Sequence, residues 1–334
     1  MRAVLVGAGA VGARAARQLV ALGDLDQLVV VDPDGSRCQA VLESFGPIAS
    51  SAPDLAGALD VAGGGAKPPV VILTSPPGDH PALAGIALAA GAIVVSTADS
   101  VDDVSGLLAL DATARALDLA VVVGTGFSPG LSCVLAAFAA RSFEQVDEVH
   151  VAKVGSGGPA CHRQRLAATR SKGPEWAGGR WVEPGSAGRQ LCWFPDPIGG
   201  VDCYRGALAD PLLVMPAFPG VTRVTARIGA GRFDRLVARV PELRRFQSES
   251  DLGALRVEVR GSQGVARATR VVGAIDRPAV AAGVVTALAA RWAVDGRLTS
   301  TGAAGLARMV EPGPFLASLA DRGVKVAVFE GAAA

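Results

Sequence analysis

Three glycines near the start of the chain have the spacing of a phosphate-binding turn. Gly7, Gly9 and Gly12 form a G-x-G-x-x-G pattern directly after the apolar run of residues 3–6. In such a pattern the first glycine permits a tight turn, and the second lets a pyrophosphate approach the backbone. The third allows the following helix to pack closely on the strand. The pattern therefore predicts a site that holds a phosphorylated ligand.

The elements around this turn follow in the order that a dinucleotide site requires. Residues 10–22 predict a helix, and its first residues, Ala10 and Val11, would present backbone N–H groups to the phosphates. A second apolar run, residues 28–31, ends in Asp32, whose carboxylate can accept hydrogen bonds from ribose hydroxyls. This order predicts NAD(P) binding, and a glycine-rich turn that binds nothing is the remaining alternative.

The acid after the second run bears on the choice between NAD and NADP. A carboxylate at Asp32 would repel a 2′-phosphate, which favours NAD. Arg37 follows five residues later and could reach a 2′-phosphate if the loop folded back. We therefore predict NAD, with NADP as the open alternative.

The first part of the chain predicts a doubly wound sheet. Apolar runs at residues 70–73, 93–95 and 119–123 alternate with helical segments, which is typical of parallel strands with helices on both faces. Ligands bind beyond the carboxyl ends of such strands. The residues at those ends that we predict to contact the cofactor are Thr74, Ser75, Pro76 and Ser96.

The pattern changes after residue 130. Alternating polar and apolar residues predict an antiparallel or mixed sheet, and residues 155–190 predict a long functional loop. The fold class is therefore α/β, with a Rossmann doubly wound parallel sheet and a second α/β domain. The predicted parts are a dinucleotide-binding domain at 1–130, a substrate and dimerisation domain at 131–277, and C-terminal helices at 278–334 that pack back on the first domain.

Composition excludes several classes of function. The 334 residues carry a formal net charge of +1 and only 4% aromatic residues, which argues against a nucleic-acid surface. No apolar stretch has membrane-spanning length, so we expect no membrane association. Five scattered cysteines without a C-x-x-C pair and three dispersed histidines predict neither a disulfide framework nor a metal site. We expect a cytoplasmic protein with a small-molecule partner.

Three segments carry a resemblance to a known family. They are "GTGFSPGLSCVLA" at 124–136, "CWFPDPIGG" at 192–200, and "RGSQGVARATRVVGAID" with "AAGVVTALAARWAVDGRL" at 260–298. With the glycine turn, they make the chain similar to the saccharopine dehydrogenase family, specifically to reductase-type members with an N-terminal Rossmann domain and their actinobacterial relatives.

The resemblance implies a nicotinamide-dependent enzyme whose second α/β domain closes over the substrate. Such enzymes form or cleave a secondary amine between an amino acid and a carbonyl compound. The expected function is therefore an NAD(P)-dependent oxidoreductase that acts on a C–N bond of an amino-acid-like substrate. Family analogy also implies a homodimer formed through the second-domain sheet.

The sequence departs from the family at two places. Relatives often carry an acid before the P-G-L segment, where this chain has Ser128, and another after the strand 93–95, where it has Ser96 with Asp99 three residues on. Ser128 remains a predicted substrate-binding residue. The departures leave the substrate open.

Hydride transfer also needs a group that moves a proton and cations that bind carboxylates. Lys153, at the end of a predicted strand, and His162 are candidate proton-transfer residues. Tyr204, the only tyrosine, could donate a hydrogen bond to a carbonyl oxygen. Arg163 and Arg165 follow His162 closely along the chain and are the predicted carboxylate-binding residues.

Other functions stay open at this point. Cys133, in the first turn of a predicted helix, could be the nucleophile of an aldehyde dehydrogenase, because a helix N-terminus lowers a thiol pKa. A Rossmann dehydrogenase that acts on a CH–OH group is a second alternative. The Glu-Lys-Pro that such enzymes usually carry after the fifth strand is missing, since this chain has "VVSTADS" there. The third is a non-catalytic dinucleotide-binding sensor or scaffold.

Overall fold

The computed structural model describes residues 1–185, 188–230 and 252–329. Within these ranges, the strands of a first sheet are β1 (Arg2–Val6), β2 (Gln27–Val31), β3 (Ala49–Ser51), β4 (Val70–Leu73), β5 (Ile93–Ser96), β6 (Ala120–Val123) and β15 (Gly302–Gly305). Their order is β15-β6-β5-β4-β1-β2-β3, and every neighbouring pair is parallel. The predicted doubly wound parallel sheet is confirmed.

Helices cover the first sheet because its strands are apolar on both faces. Strands β4 and β6 are buried along their whole length, as expected for a parallel sheet between two helical layers. The helices of this part are α1 (Ala10–Ala21), α2 (Gly35–Phe45), α3 (Leu55–Ala62), α4 (His80–Ala89), α5 (Val101–Leu108) and α6 (Asp111–Ala116).

A second, mixed sheet follows. Its strands are β7 (Gln145–Val154), β8 (Glu175–Ala177), β9 (Arg180–Val182), β10 (Gln190–Phe194), β11 (Gly199–Tyr204), β12 (Arg223–Gly229), β13 (Gly253–Gln263), β14 (Ala266–Asp276) and β16 (Lys325–Phe329). In the described part of the chain the main order is β10-β11-β12-β7-β13-β14-β16, with β8 paired to β12 and β9 paired to β8. Strands β7 and β12 are parallel, whereas the other pairs are antiparallel, so the predicted second sheet is confirmed as a mixed one.

The remaining helices join the two sheets. They are α7 (Leu131–Ala140), α8 (Pro159–Ala168), α9 (Asp210–Val214), α10 (Pro278–Val294), α11 (Leu306–Met309) and α12 (Pro312–Ala320). Helix α7 is apolar around its circumference and packs against β13 and β14. Helix α10 packs against α1, where a Cβ on Gly283 would lie only 2.7 Å from the Cβ of Arg14. No helix in the described ranges combines the length and apolar character that a membrane span requires.

The C-terminal part contributes to both sheets. Within the segment 278–334, for which the sequence predicts helices, residues 302–305 instead form β15 beside β6, and the next four residues are helical. Small residues in this strand permit close packing, since a Cβ on Gly305 would lie 2.8 Å from the Cβ of Leu213. The predicted boundaries at 130/131 and 277/278 stay predictions.

Candidate functional site

The two sheets meet at a cavity of about 520 Å³. The glycine turn after β1 and the loops after β4, β5 and β6 form one side of this cavity. The end of β7, the following glycine-rich segment and α8 form the other side. The carboxyl ends of the first sheet therefore face a surface supplied by the second.

The glycine turn has the close packing that its spacing predicts. Gly7 has φ +95°, and its N–H donates to the carbonyl of Val31 at 2.8 Å. The hydroxyl of Thr74 donates to the Gly7 carbonyl at 2.5 Å. A Cβ on Gly12 would lie 2.0 Å from that same carbonyl oxygen, so only glycine allows α1 to sit on the turn. Gly12 therefore lies behind the cavity wall and shapes it from there.

Gly9 differs from its two partners because it faces open space. A Cβ on Gly9 would have no neighbouring atom within 4 Å. Gly9, Ala10 and Val11 line the cavity, and no side-chain hydrogen bond caps the start of α1 at Gly9. The first-turn N–H groups of this helix can therefore bind phosphate oxygens.

Asp32 lines the cavity beside the turn and is held rigidly. Its Oδ2 accepts a hydrogen bond from the Ala8 N–H at 2.7 Å, and its Oδ1 accepts one from the Asp34 N–H at 2.8 Å. Each carboxylate oxygen retains capacity for a further donor such as a ribose hydroxyl. Arg37 lies on the same rim, with its Nε 3.2 Å from Asp34 Oδ2.

A buried histidine fixes the loop after β4, and sequence reasoning missed it. His80 Nε2 lies 3.0 Å from the Ser75 carbonyl, and His80 Nδ1 lies 2.8 Å from Ser96 Oγ. A carbonyl only accepts, so Nε2 carries a proton and donates to the Ser75 carbonyl, while Nδ1 shares a hydrogen bond with the Ser96 hydroxyl. Thr74, Ser75 and Pro76 line the cavity, whereas Ser96 lies behind it and acts on its wall through His80.

Charged side chains occupy the other end of the cavity. Lys153 lines it and donates from Nζ to the Ser128 carbonyl at 2.7 Å. Asp99 also lines it; burial raises the pKa of this carboxyl, and the positive charge of Lys153 opposes that rise. Burial likewise raises the pKa of the nearby Cys161 thiol to about 11. Lys153 and Asp99 together can exchange a proton with a bound ligand.

The sequence identifies Asp99 only as the acid that follows Ser96 and does not predict it as a site residue. The signal that could have identified it is its position after β5, since the ends of parallel strands meet at one edge of the sheet. Asp99 and Lys153 are far apart along the chain, and only the packing of the second sheet brings the two groups near each other. Sequence reasoning therefore did not connect them.

The predicted long loop at 155–190 is partly regular structure. It contains α8 and the β8–β9 pair, with Pro159 in the first turn of the helix and Gly178 and Gly179 between the strands. Glycine and proline are frequent in this segment because they begin the helix and form the turns, and that frequency concealed the elements from sequence reasoning.

Helix α8 presents its two arginines to the cavity and turns its histidine away. Arg163 and Arg165 line the cavity, and Arg165 Nη2 donates to the Gly229 carbonyl at 2.5 Å. His162 is 7% exposed and is not among the lining residues. Tyr204, on β11, is not among them either. The structure thus brings Lys153, Ser128 and the two arginines together, and the roles of His162 and Tyr204 stay predictions.

The Cys133 alternative loses its physical basis. Cys133 is fully buried at the start of α7. Burial and then the negative charge of Asp210 raise the pKa of this thiol to about 12, which outweighs the effect expected from the helix N-terminus.

Among the described residues, no group of three or more histidine, cysteine or acidic side chains could hold a metal ion.

Comparison with protein families gives one match. Residues 3–118 match the family described as the saccharopine dehydrogenase NADP binding domain. This segment contains the glycine turn, Asp32 and the loops after β4 and β5. Comparison with curated proteins gives no significant match.

Two solved structures have a similar fold along nearly the whole chain. Saccharopine dehydrogenase (L-Glu forming) from Saccharomyces cerevisiae, in its apo form, is 16% identical, with a TM-score of 0.69 over 98% of this chain and 99% of that one. Amine dehydrogenase from Mycobacterium smegmatis is 13% identical, with a TM-score of 0.53 over 93% of this chain and 96% of that one. At these identities the likeness establishes the fold.

Proposed function

We infer from the match of residues 3–118 to the saccharopine dehydrogenase NADP binding domain that the chain belongs to the saccharopine dehydrogenase family, and on that premise we propose that it is a nicotinamide-dinucleotide-dependent oxidoreductase acting on a C–N bond of an amino-acid-like substrate. One observation carries this proposal. The glycine turn and Asp32 open onto the same cavity as Lys153, Asp99 and Arg163. A cytoplasmic location and a homodimer formed through the second sheet are part of the proposal.

The residues of the first domain fit a dinucleotide. The open space over Gly9 and the uncapped start of α1 accommodate a pyrophosphate, and Asp32 can accept from the adenosine ribose. Ser75, which hydrogen-bonds to His80, and Pro76 form the wall beside the turn. A bound nicotinamide would supply hydride transfer.

The residues of the opposite wall fit the rest of the reaction. Oxidation at a C–N bond, or its reverse, requires a proton to be taken up or released near the reacting nitrogen. Lys153 and Asp99 are ionisable groups that line the cavity, and burial favours the protonated form of Asp99. We propose that these two groups exchange the proton. Arg163, exposed at the cavity, would bind the carboxylate of the substrate.

Asp32→Ala should weaken NADH binding by about 10- to 100-fold, the range expected for losing hydrogen bonds to a charged group. NADPH binding should change far less, because the substitution also removes repulsion of the 2′-phosphate. Fluorescence titration with each dinucleotide measures both dissociation constants.

Arg37→Ala is the matched control for this prediction. Arg37 is ion-paired with Asp34 at the same rim, so its loss should leave NADH binding unchanged and weaken only NADPH binding. Equal losses of NADH and NADPH affinity in Asp32→Ala would contradict the ribose role of the aspartate and the assignment of NAD as cofactor.

A turnover screen tests the reaction itself. The purified protein is given NAD with a set of amino acids, or NADH with 2-oxo acids and amino acids together, and the nicotinamide absorbance is followed. Turnover that requires an amine supports the proposal. Tight binding of the dinucleotide without turnover on a broad panel would favour the non-catalytic sensor, and turnover of alcohols or aldehydes alone would favour a CH–OH or aldehyde dehydrogenase.

A further inference from the structure

A buried carboxylate lies directly behind the catalytic end of the cavity. Asp210, the first residue of α9, is 1% exposed. Its Oδ1 accepts hydrogen bonds from Ser128 Oγ at 2.8 Å and from Ser132 Oγ at 2.6 Å. The carboxylate therefore fastens the segment before α7, and the first turn of α7 itself, to a helix that follows β11.

Ser128 connects this carboxylate to the cavity. Its hydroxyl donates to Asp210, while its own carbonyl accepts the hydrogen bond from Lys153 Nζ at 2.7 Å. Ser128 is 7% exposed, so both contacts lie within the packed wall. A continuous series of hydrogen bonds thus runs from Asp210 through one residue to the ammonium group of Lys153.

The second carboxylate oxygen of Asp210 has an unusual environment. Oδ2 is buried and has no hydrogen-bond partner among the described residues. Leaving a buried polar atom unpaired costs folding free energy. If the residue only anchored the two serines, a neutral side chain with one acceptor oxygen would make the same hydrogen bonds. A negative charge at this place acts electrostatically across the wall, and Lys153 is the positively charged residue that the hydrogen bonds through Ser128 reach.

We propose, on the basis of the proposed function, that Asp210 is a positioning residue for Lys153. Asp210 acts on Lys153 through the Ser128 main chain, and its negative charge balances the positive charge of the lysine. Its charge also reaches Asp99. Burial raises the pKa of Asp99, Lys153 opposes that rise, and Asp210 adds to it. His80 lowers and Asp103 raises the same pKa to a smaller extent, and neither is altered by a change at Asp210.

Asp210→Asn keeps an oxygen acceptor for both serines, removes the charge and places an amide NH2 group where Oδ2 was. We expect kcat to fall by about 10- to 100-fold, with no change in the dissociation constant of the dinucleotide. The acid limb of the pH profile of kcat should move to lower pH, because one cause of the raised pKa of Asp99 is gone. A structural role alone would not move this limb.

Two serine variants test the path. Ser128→Ala removes the hydroxyl that binds Asp210 and belongs to the residue whose carbonyl accepts from Lys153. Ser132→Ala removes a hydroxyl that binds Asp210 but belongs to a residue without a hydrogen bond to Lys153. We expect Ser128→Ala to lower kcat more than Ser132→Ala does. These variants also serve if Asp210→Asn fails to fold, as judged by its melting temperature.

The outcomes separate this inference from the proposed function. Wild-type kcat and an unshifted pH profile in Asp210→Asn, with an inactive Lys153→Met, would overturn the role of Asp210 and leave the proposed function standing. Full activity in Lys153→Met would remove Lys153 from the mechanism and overturn the role of Asp210, whereas a wild-type protein without amine-dependent turnover would overturn the proposed function. Equal losses in the two serine variants would show that the network is structural, which also overturns the role.

Discussion

Lys153→Met should lower kcat by about 10²- to 10⁴-fold, the usual contribution of a positioned proton-transfer group. Methionine has a similar length and packs against the same wall, but it cannot exchange a proton or donate to the Ser128 carbonyl. Because Lys153 contacts the loop after β6, which β5 and β4 separate from the glycine turn after β1, the dissociation constant of the dinucleotide should stay within about threefold of wild type.

The matched control is Lys172→Met. Lys172 is exposed and is not among the cavity-lining residues, so its replacement makes the same chemical change outside the site. Lys153→Arg adds a second test, since it keeps the positive charge but cannot lose its proton. Wild-type kcat in Lys153→Met would remove Lys153 from the mechanism, and full activity in Lys153→Arg would limit its role to charge.

Gly12→Ala should abolish measurable dinucleotide binding and destabilise the fold by about 1–3 kcal/mol, the range for overpacking a tight contact. The new Cβ would lie 2.0 Å from the Gly7 carbonyl and 2.6 Å from Thr74 Oγ1, so α1 must move away from the turn. Calorimetry gives the melting temperature, and fluorescence titration gives the dissociation constant.

Gly9→Ala is the informative comparison. A Cβ at Gly9 meets no atom within 4 Å, and the backbone there has an ordinary extended conformation, with φ −72° and ψ −165°. The melting temperature should therefore match that of the wild type, while dinucleotide binding falls by at least about tenfold because the methyl group occupies phosphate space. Unchanged binding in Gly9→Ala would place the pyrophosphate elsewhere.

The first half of the fold could be predicted because its signals are local. The strands β1, β2, β4, β5 and β6 are short apolar runs, α1 is amphipathic, and glycines mark several of the turns between strands and helices. The glycine turn and Asp32 were predicted for the same reason, since their spacing alone fixes their relation to one strand and one helix.

The far wall of the cavity depends on contacts that no local pattern contains. Asp99 and Lys153 lie on different sheets, and Asp210 reaches Ser128 from a helix 82 positions away along the chain. Strands β7 and β12 pair in parallel with several elements between them, so the register that positions Lys153 is set by tertiary packing. His80 shows the same limit, because its partner Ser96 lies at the end of the neighbouring strand β5.

Strand β15 has a consequence for how the protein is synthesised. Residues 302–305 pair in parallel with β6, and α10 covers α1. A nascent chain that has emerged only to residue 130 would therefore expose the edge of β6 and the apolar surface beneath α10. The dinucleotide-binding half cannot finish folding on the ribosome until almost all of the polypeptide has been translated, so the domain made first is completed last.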